Sequence, residues 1–255
     1  MMRKLASTNL AIAQADLAEG AFFFAMRSCK YSKTSTKEES KRTKIIRVHN
    51  IRFFASSRIR HHDHDQLKDS NFVQITFEYM KNDDRNESVG MFRATSSSLL
   101  FPVRVWARIV KRVRSYLGDD NPNLRCVCSF HDKGKMTLIT SSGICAKLRA
   151  SAKAIGKAAL GFDPHKIGTH SLRSGATMAL FLAHVPAPTI MIIGRWRSDA
   201  FLLYIRKQVA QFSMDLSSRM LQHADFFTVP AFNRNNSCTT NHAITSALRV
   251  PANVI

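Results

Sequence analysis

The sequence predicts an α+β, mainly α fold in which a small antiparallel sheet packs against a helical bundle. The first observation is a set of three strand-like runs at 45–54, 72–80 and 88–92, and the first two alternate between apolar and polar residues. The second is a series of helical patterns on both sides of these runs. The third is a hydrophobic content of 45% in 255 residues, which is enough to build a core.

Two helices and a turn are predicted in the first half of the chain. Residues 5–27 form the first helix, whose apolar second half we expect to be buried. Pro102 opens a second helix, which runs to Tyr116 and ends at Gly118. Between the second and third strand runs, residues 81–84 (Lys-Asn-Asp-Asp) have the composition of a hairpin turn.

The second half is predicted to contain a loop at 119–137 and further helices. These helices are expected at 141–155, 170–184, 188–193 and 198–211. Thr169 is the predicted N-cap of the helix that starts at 170, because its hydroxyl can accept a bond from a free N–H of the first turn. The C-terminal residues are polar. We therefore expect one domain over 1–225 and a polar tail over 226–255.

The chain is strongly basic, with 38 Lys and Arg against 18 Asp and Glu, a net charge of +20 and a pI near 10.3. Such a charge repels itself unless an anionic partner offsets it. Nucleic acid is the expected partner, because each neutralised phosphate releases condensed counterions. An anionic membrane is the competing partner. The sequence has no helix with a purely basic face, however, and no apolar run near the roughly 18 residues that span a bilayer.

The cysteines and the N-terminus both bear on the cellular compartment. The five cysteines are an odd number without the spacing of a disulfide framework, which indicates a reducing environment. Gln14, Asp16 and Glu19 interrupt the N-terminal apolar stretch, so it does not have the pattern of a signal peptide. The sequence therefore predicts a soluble, intracellular protein.

The residues that suggest chemistry lie in the last third of the chain. His170 and Arg173 are three positions apart, so a helix places them on one face. A guanidinium can bind two oxygens of one phosphate, and an imidazole beside it can donate a bond or move a proton. Trp196 adds an indole N–H, and the phenol of Tyr204 can attack phosphorus to form a phosphotyrosyl ester. Taken singly, each residue also fits an ordinary role in packing or at a helix start.

In this order the residues resemble the signature of the tyrosine recombinase (phage integrase) family, which is Arg, Lys, His-x-x-Arg, His or Trp, and Tyr. The string Gly-Arg-Trp-Arg-Ser-Asp-Ala-Phe-Leu-Leu-Tyr-Ile-Arg at 194–206 is closest to the integrase-like recombinases of eukaryotic mobile elements. Upstream, Phe-Phe-Phe-Ala-Met-Arg at 22–27 is similar to the family segment with the first arginine, and Lys81 stands where the family has its lysine. The resemblance covers roughly residues 15–215.

The resemblance implies a catalytic site of six residues. Tyr204 attacks the scissile phosphate of duplex DNA, which leaves a 3′-phosphotyrosyl link and a free 5′-hydroxyl. Two arginines bind the non-bridging oxygens in the transition state, a histidine and a tryptophan complete the cage, and Lys81 protonates the departing oxygen. The six residues are Arg27, Lys81, His170, Arg173, Trp196 and Tyr204.

The same resemblance implies DNA recombination or integration without a cofactor. The ester conserves the energy of the broken bond, so neither a metal nor ATP is required. The sequence agrees in having no P-loop, since Gly156-Lys157 is followed by Ala158. Relatives of this kind act as homo-tetramers on two duplexes, and a mobile-element origin implies a nuclear location.

Three features depart from the family pattern. The position three residues after Arg27 is often acidic in the family and is Lys30 here, which we expect to repel Arg27. Tyr204 follows Trp196 by eight positions, one fewer than is usual, so the connecting turn must absorb a rotation of about 100°. Arg27 comes so early that the helical core-binding domain, which usually precedes the catalytic one, is expected to be missing.

The predicted second helix carries basic residues around its circumference, which we expect to contact the DNA backbone, although a solvated surface would have the same composition. They are Arg104, Arg108, Lys111, Arg112 and Arg114. The histidines and aspartates at 61–65 are too close together to bind one metal ion. Cys126, Cys128 and His131 lack a second ligand pair at zinc spacing, so no metal site is predicted.

Two other functions stay open at the level of sequence. A catalytically inactive DNA-binding remnant of a mobile element fits both Lys30 and the missing domain. A basic RNA-binding protein fits the charge, but the sequence lacks aromatic-rich RNA-binding strands and glycine-rich arms. Covalent DNA adducts would separate an enzyme from the remnant, and equal affinity for duplex DNA and single-stranded RNA would favour the RNA-binding protein.

Overall fold

The computed structural model describes residues 8–34, 45–79, 86–93, 101–118, 120–132, 134–196, 198 and 201–202. Over these residues the chain is a mixed α/β fold of helices and a small antiparallel sheet, which confirms the predicted class in this broad sense. The helices are α1 (Asn9–Phe23), α2 (Pro102–Arg114), α3 (Ser141–Ile155), α4 (Lys157–Leu160), α5 (Ser171–Leu182) and α6 (Ala187–Gly194). The strands are β1 (Ile51–Ala55), β2 (Arg58–Arg60), β3 (Phe72–Phe77), β4 (Glu87–Phe92), β5 (Ser129–Asp132) and β6 (Lys135–Leu138).

The main sheet has the strand order β2-β1-β3-β4, and all its pairs are antiparallel. Alternation in β3 buries Val73, Ile75 and Phe77 and leaves the residues between them partly exposed. One face of a strand with this period of two meets the core, and the sheet packs against α2 in this way. The end of β3, at Phe77, is the part of the sheet that reaches the site described below.

Helix α1 is buried along most of its length and packs against α2, α3 and α5. Thr8 caps its N-terminus by accepting a bond from the Ala11 N–H at 3.2 Å. Gly20 faces Trp106 of α2, where a Cβ would come within 3.1 Å of the indole ring. The absence of a side chain at Gly20 therefore lets α2 approach α1 closely.

Three helices end in the same motif, with an unusual residue at its left-handed position. At the end of α1, Ala25 has φ 44°, and the N–H groups of Ala25 and Met26 bond back to Phe22 and Ala21. This is the Schellman arrangement, in which glycine is the usual left-handed residue. The same pair of bonds ends α5 at His184 and α6 at Arg195, each with φ 56°. The backbone strain of a non-glycine residue is thus accepted at three turns.

Several predicted boundaries change in the structure. The first helix ends at Phe23 rather than at 27, because the Schellman turn stops it. The first strand begins only at Ile51, since Val48–Asn50 forms a 3-10 turn, and β2 follows it as a strand that the sequence did not predict. The second predicted helix ends at Arg114, and the helix at 141–155 has the predicted bounds.

Two predictions for the second half are wrong. Residues 119–137 do not form a simple loop, because β5 and β6 pair there as a hairpin. Thr169 is not the N-cap of α5, which begins one residue later with His170 at the N-cap and no side-chain capping bond. Just before the helix, the Gly168 N–H donates instead to the hydroxyl of Ser171, the first helical residue, at 2.9 Å.

Other predictions lie outside the described residues. These are the turn at 81–84, most of the helix at 198–211, and the tail at 226–255. In the part of the chain that the structure describes, no helix is long and apolar enough to cross a membrane.

Candidate functional site

Arg27 lies four residues after the end of α1, so the turn that ends this helix sets its position. After the left-handed turn at Ala25, Arg27 has extended backbone (φ −74°, ψ 145°) and stands directly before the 3-10 turn Ser28–Lys30. Its side chain is half-buried. The position of Arg27 therefore depends on how firmly the turn at Phe24 and Ala25 is held.

Arg173, near the start of α5, holds that turn. Its side chain is only 1% exposed, and its Nη1 donates to the carbonyl of Ala25 at 2.5 Å. Its Nη2 donates to the carbonyl of Gly194, at the end of α6, at 2.7 Å. The guanidinium also lies over the ring of Trp196, 3.9 Å from its centroid, in a cation–π contact. One buried side chain thus brings together the segments of Arg27 and Trp196.

Arg195 makes a second set of bonds at the same place, and the sequence did not predict it. Its guanidinium is buried, and it donates to the carbonyls of Phe24 at 3.2 Å and Ile193 at 2.9 Å. It also lies over the ring of Phe77, 3.8 Å from the centroid. Only its place between Gly194 and Trp196 could have drawn attention to it, because no periodicity shows which arginine points inward.

Four basic residues, Arg27, Lys30, Arg173 and Arg195, interact electrostatically and form a positively charged centre. Burial lowers the pKa of Arg195, the Arg173 guanidinium lowers it further, and Arg27 acts in the same direction. The pKa of the Lys30 ammonium is also lowered, chiefly by burial and further by Arg195 and Arg27, against opposing effects of Cys29 and, more weakly, Glu78. Cations gathered in a desolvated place repel one another, and an anion such as a phosphate would relieve the repulsion.

His170 and Arg173 do not share one helix face in the structure, although their spacing predicted that they would. Arg173 points into the core, whereas His170 is exposed at the start of α5. The His170 carbonyl accepts bonds from the backbone N–H and the hydroxyl of Ser174. Of the six sequence-predicted site residues, Arg173 and Trp196 are in direct contact, and Arg27 follows Ala25, whose carbonyl Arg173 binds, by two positions. Lys81 and Tyr204 lie outside the described residues.

The basic residues of α2 are largely engaged within the protein. Arg108 pairs with Asp16 at 2.8 Å and with Glu19 at 3.1 Å, both on α1. Arg112 donates to the carbonyls of Val127 and Ser129, and Arg114 to Asp63 and Asn123. Arg104 lies over the ring of Phe101, and Lys111, which is exposed, donates to the carbonyl of Asp65. These contacts fasten α2 to its neighbours.

Among the described residues, no group of three or more His, Cys, Asp or Glu side chains is arranged to hold a metal ion. In the histidine-rich segment, a ring nitrogen of His62 bonds the Ile51 carbonyl at 2.6 Å. His64 accepts a bond from the Gln66 N–H at 3.1 Å. These side chains therefore serve local structure.

Comparison of the chain with protein-family models, with curated proteins and with solved structures gives no match.

We predict that Arg173→Ala lowers the free energy of unfolding by about 2–4 kcal/mol, because two buried carbonyls lose their donor. Urea denaturation measures the change. Arg149→Ala is the matched control, since Arg149 also donates to a carbonyl, that of Ile167 at 2.8 Å, but is exposed. Its loss should stay below about 1 kcal/mol. Equal losses in the two variants would contradict the structural role given to Arg173.

Proposed function

We propose that this chain is the catalytic domain of a recombinase or integrase, which breaks and rejoins duplex DNA through a 3′-phosphotyrosyl bond to Tyr204. The observation that carries the proposal is the contact of Arg173 with the Ala25 carbonyl, the Gly194 carbonyl and the Trp196 ring. Ala25 and Arg173 are far apart in sequence, and this contact links the segment before Arg27 to Arg173 and Trp196. Four copies on two duplexes and a nuclear location belong to the same proposal and rest on the resemblance alone.

In this proposal the charged centre stabilises a phosphate during transfer. The Tyr204 oxygen bonds to phosphorus as the bond to the 5′-oxygen breaks, and Lys81 donates a proton to that oxygen. Arg27 and Arg173 offset the charge on the non-bridging oxygens, with His170 and Trp196 as further donors. Rejoining is the reverse, with the 5′-hydroxyl as nucleophile and Tyr204 as leaving group. The number of ester bonds is unchanged, so the reaction requires no energy source.

A second candidate is a protein that binds DNA without cutting it. The observation in its favour is the burial of Arg173, whose two terminal nitrogens donate to main-chain carbonyls while Trp196 covers its face. A guanidinium used in this way stabilises the fold whether or not a phosphate is present. The two candidates share a DNA-binding surface and differ in covalent chemistry.

We propose that this surface lies on α3, α4 and the turn Pro164–Lys166, because the cations of α2 are engaged. Lys153, Lys157 and Lys166 are exposed there, and contacts of α3 with α4 and with the turn hold the three elements together. Lys157 and Lys166 both lower the pKa of Asp163, after the larger effect of its bond from the His165 N–H. Exposed lysines on neighbouring elements suit the phosphates of a duplex.

We expect a covalent adduct between the wild-type protein and supercoiled plasmids that carry randomised sequence. The adduct should resist detergent. It should persist in Tyr116→Phe and disappear in Tyr204→Phe, because Tyr204 is the proposed nucleophile and Tyr116 is not. Denaturing gels detect the adduct, and filter binding under native conditions measures DNA affinity. Adducts in both tyrosine variants would refute the assigned nucleophile. DNA binding without any adduct would favour the second candidate.

We predict that the variant Lys153→Gln/Lys157→Gln/Lys166→Gln binds duplex DNA more weakly and with less salt dependence. The slope of log affinity against log salt should shrink by about 2–3, since each lost phosphate contact removes about 0.9. Salt titrations by fluorescence anisotropy provide the slopes. The control Arg52→Gln/Arg58→Gln/Lys68→Gln removes the same charge from exposed positions near the main sheet. Equal slopes in the two variants would mean that the effect comes from net charge alone.

A further inference from the structure

The main sheet has an apolar row on the face that points away from the core, with one side chain from each strand. The four residues pair across the strands in the order Ile59, Phe54, Phe72 and Phe92. Successive side chains of a strand point to opposite faces of the sheet. Phe53 and Val73, which adjoin the row along their strands, accordingly point into the core and are fully buried. We call the four residues the outer row.

The side chains of the outer row contact one another and remain open to solvent. The ring centroids of Phe54 and Phe72 are 5.7 Å apart, and those of Phe72 and Phe92 are 4.7 Å apart. Gly90 leaves space for the Phe72 ring, because a Cβ there would come within 1.9 Å of it. At the two ends of the row, Ile59 is 54% exposed and Phe92 is 76% exposed. A continuous apolar surface of this kind marks a candidate interaction site.

The charges around the outer row favour an anionic partner. The four strands contain the arginines Arg52, Arg58 and Arg60 and one acid, Glu87, at the end of β4 away from the row. Arg52 is exposed and lies on the same face as the row, two positions along β1. Arg58 and Arg93 are exposed beside the two ends of the row. A second copy of this chain would bring like charges together, so the charges disfavour a symmetric pair on this face.

Aromatic rings next to arginines suit the chemistry of unpaired nucleotides. Any base can stack on an aromatic ring, while cations contact the phosphates of the same strand. An outward-facing aromatic row on a four-stranded sheet can stack about two or three bases. In a duplex the neighbouring base pairs cover both faces of each base, so a duplex cannot use such a surface in this way.

We propose that the outer face of the main sheet binds single-stranded nucleic acid, with bases stacked on Phe72 and Phe92 and phosphates in contact with Arg52. No single strand is rich in aromatic residues, which is why the sequence indicated no surface of this kind. The row forms only because the register of the sheet aligns one phenylalanine from each of three strands. The site is separate from the duplex surface on α3 and α4 and does not depend on the chemistry of Tyr204.

The test measures the affinity of the whole chain for a labelled mixed-sequence strand by fluorescence anisotropy. The strand, of about 12 nucleotides, is offered as DNA, as RNA and as the corresponding DNA duplex. Phe92→Ala should weaken binding of the single strand by about tenfold and leave duplex affinity within about twofold of wild type. Because Phe92 is so exposed, its loss should leave the fold intact, and the unchanged duplex affinity checks this.

Two further substitutions at the same position separate stacking from general apolar contact. Phe92→Leu keeps an apolar side chain without an aromatic face and should bind the single strand as weakly as Phe92→Ala. Phe92→Trp keeps an aromatic face and should bind at least as tightly as wild type. Phe162→Ala is the matched control, since Phe162 is also exposed but lies after α4, away from the sheet. This control should bind the single strand like wild type.

The other outcomes would overturn the inference. If Phe92→Ala binds single strands like wild type, or if Phe162→Ala weakens binding instead, the bases do not stack on the outer row. If Phe92→Leu keeps the wild-type affinity, apolar contact rather than stacking holds the strand. Sedimentation adds a check on the competing occupant. A wild-type dimer that Phe92→Ala separates, with single-strand affinity unchanged, would mean that a second copy covers this face.

Discussion

Moving a guanidinium out of water costs several kcal/mol unless its N–H groups find acceptors, and the site depends on how Arg173 meets this requirement. Its acceptors are main-chain carbonyls at the ends of two helices, Ala25 after α1 and Gly194 in α6. Each carbonyl is at a turn that continues into a residue predicted from the sequence to belong to the site, Arg27 or Trp196. Displacement of either turn would leave a buried donor or acceptor unpaired, so the positions of both residues are coupled to one side chain.

Helix α1 supports this arrangement from its carbonyl end. The end of a helix carries partial negative charge, and the guanidinium groups of Arg195 and Arg173 bind the carbonyls of Phe24 and Ala25 there. Arg195 does so from a left-handed backbone position that glycine would occupy with less strain. The strain is offset by its two carbonyl bonds and its contact with Phe77.

Sequence reasoning predicted regular elements better than the direction of individual side chains. The bounds of α3 followed from its helical pattern, and Thr140 caps it in the structure. The hairpin of β5 and β6 was missed because each strand has only four residues, too few to show alternation. The order of motifs predicted that Arg173 and Trp196 belong to one site, and their side chains are in contact. It could not show that Lys30 and Arg195 would be buried beside them, because that depends on contacts with Tyr79 and Phe77 from the sheet.

The most direct test of phosphoryl transfer by this chain is to locate the covalent bond in the protein–DNA adduct. The adduct would be trimmed with nuclease, digested with trypsin and examined by mass spectrometry. We expect nucleotide mass on the peptide 198–206, which contains Tyr204, with the link through a 3′-phosphate. Nucleotide mass on a peptide that contains Tyr31, Tyr79 or Tyr116 instead, or a link through a 5′-phosphate, would contradict the account.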